Sequence, residues 1–96
     1  INEVFCHGIP DDRPLRKGDV LNIDVSVFTE QGVHGDCSEM YFVGQCDEAA
    51  QKLCSVTREA LHEAIRACRD GTPYAVIGNV IEGFVERNSK FKVVPD

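Results

Sequence analysis

The stretch Val20-Leu21-Asn22-Ile23-Asp24-Val25-Ser26-Val27-Phe28, followed by Thr29-Glu30-Gln31-Gly32 and a second run over residues 33 to 43, decides the fold. Leu21, Ile23, Val25 and Val27 alternate with Asn22, Asp24 and Ser26, the period of two that marks a strand with one apolar and one polar face. A glycine-bearing turn between two such runs predicts an antiparallel hairpin. With a three- or five-residue connection that makes paired residue numbers sum to 60, Asp24 stands directly opposite Asp36. Facing side chains lie about 4.5–5.5 Å apart at Cβ, where like charges are destabilising, so the pair calls for water or for a cation. Asn22, Ser26, His34 and Ser38 share that polar face as donors around it. A two-residue connection shifts the pairing by one, sets Asp24 opposite Cys37, and leaves the aspartates as two charges on a wet strand. Glu39 falls on the other face, and two carboxylates alone are fewer than a metal centre needs. The spacing therefore suggests half of a site.

Outward from the hairpin, residues 1 to 18 carry Gly8-Ile9-Pro10-Asp11-Asp12-Arg13-Pro14 and Lys17-Gly18-Asp19, which is loop chemistry. A helix is predicted over residues 47 to 69, with Asp47 as its N-cap. Ala50, Leu53, Cys54, Thr57, Leu61, Ala64, Ile65 and Cys68 form its apolar stripe. Gly71 ends it. Thr72 as cap and Pro73 in the first turn open a second helix, with the stripe Ile77, Val80, Ile81, Phe84 and Val85. A third apolar run over residues 91 to 94 predicts the start of another strand. The architecture expected is α+β, a hairpin sheet packed by two helices that share a partial core with its apolar face.

The 96 residues hold 10 Lys plus Arg against 16 Asp plus Glu, a net charge of -6. This balance argues against nucleic acid or an anionic membrane as partner, and no apolar run approaches the ~20 residues of a membrane span. Five scattered cysteines with no zinc-knuckle spacing read as small core residues in a reducing compartment, the cytosol or an organelle matrix. His7, in the loop Cys6-His7-Gly8-Ile9-Pro10, can donate to a substrate oxygen near neutral pH. The adjacent Cys6 does not make it a thiol–imidazole pair, because sequence neighbours rarely point at one another. His62, between Glu59 and Glu63, is expected to be solvated. A chain opening on Ile1 and ending at Pro95-Asp96 reads as a piece of something longer.

Three motifs in register carry a resemblance. Asn2-Glu3-Val4-Phe5-Cys6-His7-Gly8-Ile9-Pro10-Asp11 resembles the substrate-pocket loop of type I methionine aminopeptidases. Gly18-Asp19-Val20-Leu21-Asn22-Ile23-Asp24-Val25-Ser26-Val27 is similar to the strand bearing that family's first aspartate ligand. His34-Gly35-Asp36-Cys37-Ser38 resembles the second, with Cys37 where threonine is usual; the change affects one hydrogen bond, a thiol being the weaker donor. Arg66-Ala67-Cys68-Arg69-Asp70-Gly71 and Ile77-Gly78-Asn79 extend the likeness over essentially the whole chain.

The resemblance implies that residues 1–96 are the N-terminal half of a catalytic domain with the pita-bread fold, two pseudo-symmetric halves around a dinuclear centre. It implies removal of the initiator methionine from nascent polypeptides, at the ribosome, by a cytoplasmic or organellar enzyme using two divalent ions (Co, Mn, Fe, Zn or Ni). Asp24 would bind one ion in bidentate fashion and Asp36 would bridge both, while His7 would contact the substrate near the scissile amide. The remaining ligands, a histidine and two glutamates, would lie beyond Asp96, so these residues alone are expected to be inactive and to self-associate. The alternative is a non-catalytic pita-bread interaction module. The presence of Asp24, Asp36 and His7 together speaks against it.

Overall fold

The computed structural model describes residues 1–95. Its elements are β1 (Val20–Phe28), β2 (His34–Phe42), α1 (Glu48–Ala67) and α2 (Ala75–Asn88), an α+β order. The chain divides into two compact units, Ile1–Ala50 and the remainder from Gln51.

In the first unit β1 and β2 form a two-stranded antiparallel sheet, as the alternation predicts. The register differs from the expected one. Asp24 pairs with Ser38 and Asp36 with Ser26, so the two aspartates are diagonal neighbours on one face rather than directly opposite. The cause is the connection, which spans five residues beyond the Phe28–His34 pair. Thr29 N–H donates to Val33 O (2.9 Å), Gly32 N–H to Thr29 O (2.9 Å), and Val33 N–H to the Thr29 hydroxyl (3.2 Å). Gly32 takes the positive φ of 79° that such a tight closure requires. The five-residue loop is centred on Gln31 instead of Glu30, and moving the centre by one residue slides the pairing by two, which leaves every side chain on its predicted face. The one-residue shift that would oppose Asp24 and Cys37 does not occur; Cys37 pairs with Val25 on the other face. Beyond the strands Val43 N–H donates to Asp19 O (2.9 Å) in register, but Val43 O accepts from Gly18 N–H (2.8 Å) in place of Asp19, a bulge that Gly18 permits at φ 100°.

On the apolar face of the hairpin Ile23, Val25 and Val27 are 48%, 52% and 55% exposed. The buried cluster lies in the second unit and gathers Val56, Ala60 and Val85, with Ile81, Phe84 and Phe91 packed against it. Ile81, Phe84 and Val85 belong to the predicted α2 stripe. The α1 stripe is met in part: Ala64 is buried and Cys54 half-buried, but Val56 and Ala60 outside it are buried as well, and Leu53, Leu61 and Ile65 are about half exposed. Of the five cysteines expected in a core, Cys46 is buried, whereas Cys6, Cys37 and Cys68 are exposed. The apolar residues of α1 cover a broad arc, and only the part facing the cluster is enclosed.

Asp47 caps α1 as predicted, accepting from Ala50 N–H at 2.7 Å. Helix α1 ends at Ala67 rather than residue 69, where Cys68 N–H turns back to Ile65 O (3.1 Å). Thr72 does not cap α2. Its hydroxyl accepts from Arg69 N–H (3.2 Å) and closes the turn out of α1, and α2 starts at Ala75, after Pro73. Residues 91 to 94 form no strand. The Ser89 hydroxyl donates to Val85 O (2.8 Å) and accepts from Phe91 N–H (3.1 Å), turning Phe91 onto the cluster.

Candidate functional site

The hairpin places Asn22, Asp24, Ser26, His34, Asp36 and Ser38 on one face, because residues paired across an antiparallel sheet project to the same side. Each aspartate stands opposite a serine hydroxyl, and both aspartates are exposed. A diagonal pair is about 7–8 Å apart at Cα, a separation that relieves the repulsion of a directly opposed pair and keeps both carboxylates over one patch of sheet. Two of the supporting donors are otherwise engaged. Asn22 Nδ2 donates to Glu39 O (3.3 Å) and contacts Met40 Sδ (3.4 Å), and the His34 ring lies against Phe28 with centroids 4.8 Å apart. Ser26 and Ser38 are left as the hydroxyls nearest the aspartates in register. Gly35 matters here for space: a Cβ on it would meet Val27 Cγ2 at 3.2 Å, on the face away from the aspartates. Glu39 lies on that other face, opposite Ile23, and His62 is exposed on α1, both as expected.

His7 is exposed in the loop before β1 and adopts φ 51°, a left-handed conformation uncommon for a residue with a Cβ. Among the described residues, no hydrogen bond or ion pair joins His7 to either aspartate. Nor do any three or more His, Cys, Asp or Glu there gather closely enough to hold a metal ion. The donor set is thus a partial one: two carboxylates, whose hard oxygens divalent cations prefer, on one face and short of a full shell.

The residue that sequence reading passed over is Asp19, taken there as part of a loop. It is buried, and its carboxylate accepts from Asn2 Nδ2 (3.0 Å), Arg13 Nη2 (3.0 Å) and Arg16 N–H (2.9 Å). Those bonds, that from Asn2 foremost, hold its pKa at about 2, below the ordinary 3.8, against the opposing effect of burial. Its carbonyl accepts from Val43 N–H and from Cys46 Sγ (3.3 Å), so one residue ties the loop, β1 and the exit from β2 together. The available signal was an acid set directly before an apolar strand, with Arg13 and Arg16 just upstream in an acidic chain.

Comparison with known families decides the assignment. The family model described as metallopeptidase family M24 matches residues 1–96. The chain belongs to metallopeptidase family M24. Among M24 relatives, it is 52% identical over 95 residues to the human "Methionine aminopeptidase 1D, mitochondrial", covering 99% of this chain and 28% of the relative. It is 49% identical over 94 residues to the Arabidopsis thaliana "Methionine aminopeptidase 1D, chloroplastic/mitochondrial", covering 98% and 26%. The crystal structure of methionine aminopeptidase from Rickettsia prowazekii superposes with a TM-score of 0.77 at 41% identity, over 85% of this chain and 33% of that one. The chain therefore spans about a quarter to a third of the M24 proteins it matches, and its α+β hairpin-and-helix order is a fragment of their pita-bread fold. No helix among the described residues is long and apolar enough to cross a membrane.

Proposed function

We propose that the chain is the aspartate-bearing part of the catalytic domain of a methionine aminopeptidase, which removes the initiator methionine from nascent polypeptides. The observation that carries this reading is the placement of Asp24 and Asp36 on one face of the hairpin, within a chain 52% identical to the human relative. Asp24 and Asp36 supply carboxylate oxygens to two divalent ions, whose other ligands belong to the rest of the domain. Bound there, the ions supply Lewis-acid polarisation of the scissile carbonyl and a nucleophilic water at neutral pH. Ser26 and Ser38, opposite the two aspartates, orient their carboxylates by hydrogen bonding. His7 donates a hydrogen bond to the substrate beside the scissile amide. The five cysteines, none of them joined in a disulfide, and the organellar names of the human and Arabidopsis relatives support a reducing compartment, either the cytoplasm or an organelle matrix.

The test uses the full-length protein, with methionine release from a Met-Ala-Ser peptide and bound metal measured together. Asp36→Asn removes a charge that a bridging ligand needs, so metal content and turnover fall together. His7→Ala keeps its metal and loses turnover, by the roughly 10²–10⁴-fold that a positioned proton donor contributes. Equal metal loss in both variants contradicts the role of His7. Full activity in Asp36→Asn contradicts the ligand role of Asp36, whereas no methionine release from the unaltered protein favours the non-catalytic module.

A further inference from the structure

The loop bearing His7 is fastened at both ends to one carboxylate. At its start, Asn2 N–H donates to Val20 O (2.8 Å), Asn2 Oδ1 accepts from Val20 N–H (2.9 Å), and Asn2 Nδ2 donates to Asp19 Oδ1 (3.0 Å). At its far end, Arg13 Nη2 pairs with Asp19 Oδ2 at 3.0 Å. Between these anchors the hydrogen bonds are local, from Val4 N–H to Ile1 O (3.1 Å) and from Arg13 N–H to Asp11 Oδ1 (3.0 Å). Asn2 itself sits at φ 52°, which asparagine tolerates better than most residues, and this lets one side chain bond both Val20 and Asp19. His7, near the middle of the loop, holds its left-handed φ, a costly state that persists only where the surroundings over-determine it.

We infer that Asp19, gripped by Asn2 and Arg13, is a positioning residue that holds the His7 loop against the first residues of the strand carrying Asp24. The inference rests on the role proposed above for His7. Asp19 suits the task because its two oxygens serve different ends of the loop, while its main chain is fixed in the hairpin ladder through Val43. Releasing either oxygen opens the ring of residues 2 to 13 and frees His7 to leave its productive position. A misplacement of about 1 Å can cost on the order of 10²-fold in rate.

The experiment is a double-mutant cycle in the full-length protein with Asp19→Asn and His7→Ala, read as kcat and KM for a Met-Ala-Ser peptide. Bound metal and hydrogen exchange are measured on the same samples. Asp19→Asn lowers kcat by about 10- to 100-fold at unchanged metal content, and the double variant is no slower than His7→Ala alone, within about threefold. The amides of Asn2, Val4 and Val20, which are hydrogen-bonded around the clasp, exchange at least about tenfold faster, whereas those of residues 22 to 27 do not change. Multiplicative losses in the cycle, or exchange that rises equally in the hairpin, overturn the inference and make Asp19 a residue of general stability. If His7→Ala is as active as the wild type, the catalytic reading of His7 fails instead, and the exchange data alone decide whether the clasp exists. Should Asp19→Asn not fold, Arg13→Met releases one end with the carboxylate intact and enters the same cycle. Arg13→Lys, which keeps a point charge but not the guanidinium fork, then restores part of the loss.

Discussion

Whether Asp24 and Asp36 face each other directly or lie on a diagonal can be measured with pairs of cysteines. Strand residues directly opposite each other have Cα atoms about 4.5–5.5 Å apart, inside the roughly 4.4–6.8 Å span of a disulfide. Diagonal residues are about 7–8 Å apart, outside that span. In the observed register Ser26 pairs with Asp36, so Ser26→Cys/Asp36→Cys oxidises readily while Asp24→Cys/Asp36→Cys stays reduced. The background replaces the exposed Cys6, Cys37 and Cys68 with serine, to suppress competing exchange. Closing a loop of about 11 residues removes chain entropy from the unfolded state worth roughly 2.8 kcal/mol at 25 °C. The oxidised Ser26/Asp36 variant should therefore unfold at a higher denaturant midpoint than its reduced form. Oxidation under mild conditions followed by peptide mass mapping identifies the linked pair. Efficient linkage of the Asp24/Asp36 pair, with none at Ser26/Asp36, would place the strands two residues out of the register described and refute the argument from the five-residue loop.

Asp47→Ala removes the oxygen that accepts from Ala50 N–H and costs about 1 kcal/mol, a fall of about 4–8 °C in the midpoint of thermal unfolding followed by circular dichroism. Asp19 contributes stability that is full above its ordinary pKa of 3.8 and is lost as pH falls from there toward about 2, because the folded state binds the proton more weakly than the unfolded one. Denaturant midpoints measured from pH 5 to pH 2 should fall less steeply in Asp19→Asn, and identical slopes would show that the carboxylate is not held ionised by its partners.

The faces of the hairpin were legible because strand alternation has a period of two, and a register slide of two leaves it unchanged. For the same reason alternation could not distinguish the opposed from the diagonal arrangement. That choice lies in the Thr29 hydroxyl and the left-handed Gly32, which set where the connection is centred. The two helices were legible from their stripes and from Asp47, but the buried face of α1 was not. Its apolar residues extend well around the helix, so burial at Val56 and Ala60 depends on where Val85 and Phe84 arrive. Thr72 reads as a cap in isolation, yet its hydroxyl is used in the preceding turn. Asp19 could not be recognised from local pattern because Asn2 and Arg13 reach it from opposite ends of a loop. Asp24, Asp36 and His7 stand out through their motifs rather than through geometry. The fragment by itself gathers only two of the carboxylates that a metal centre would use.

The central claim, that Asp24 and Asp36 are metal ligands contributed to a larger shell, is tested most directly by calorimetric titration of these 96 residues with Mn²⁺ or Co²⁺, beside Asp24→Asn/Asp36→Asn. Weak binding is expected, in roughly the millimolar range of sites with few oxygen ligands, abolished in the double variant and accompanied by no methionine release. Micromolar binding with peptide cleavage, or binding that survives the loss of both aspartates, would contradict it.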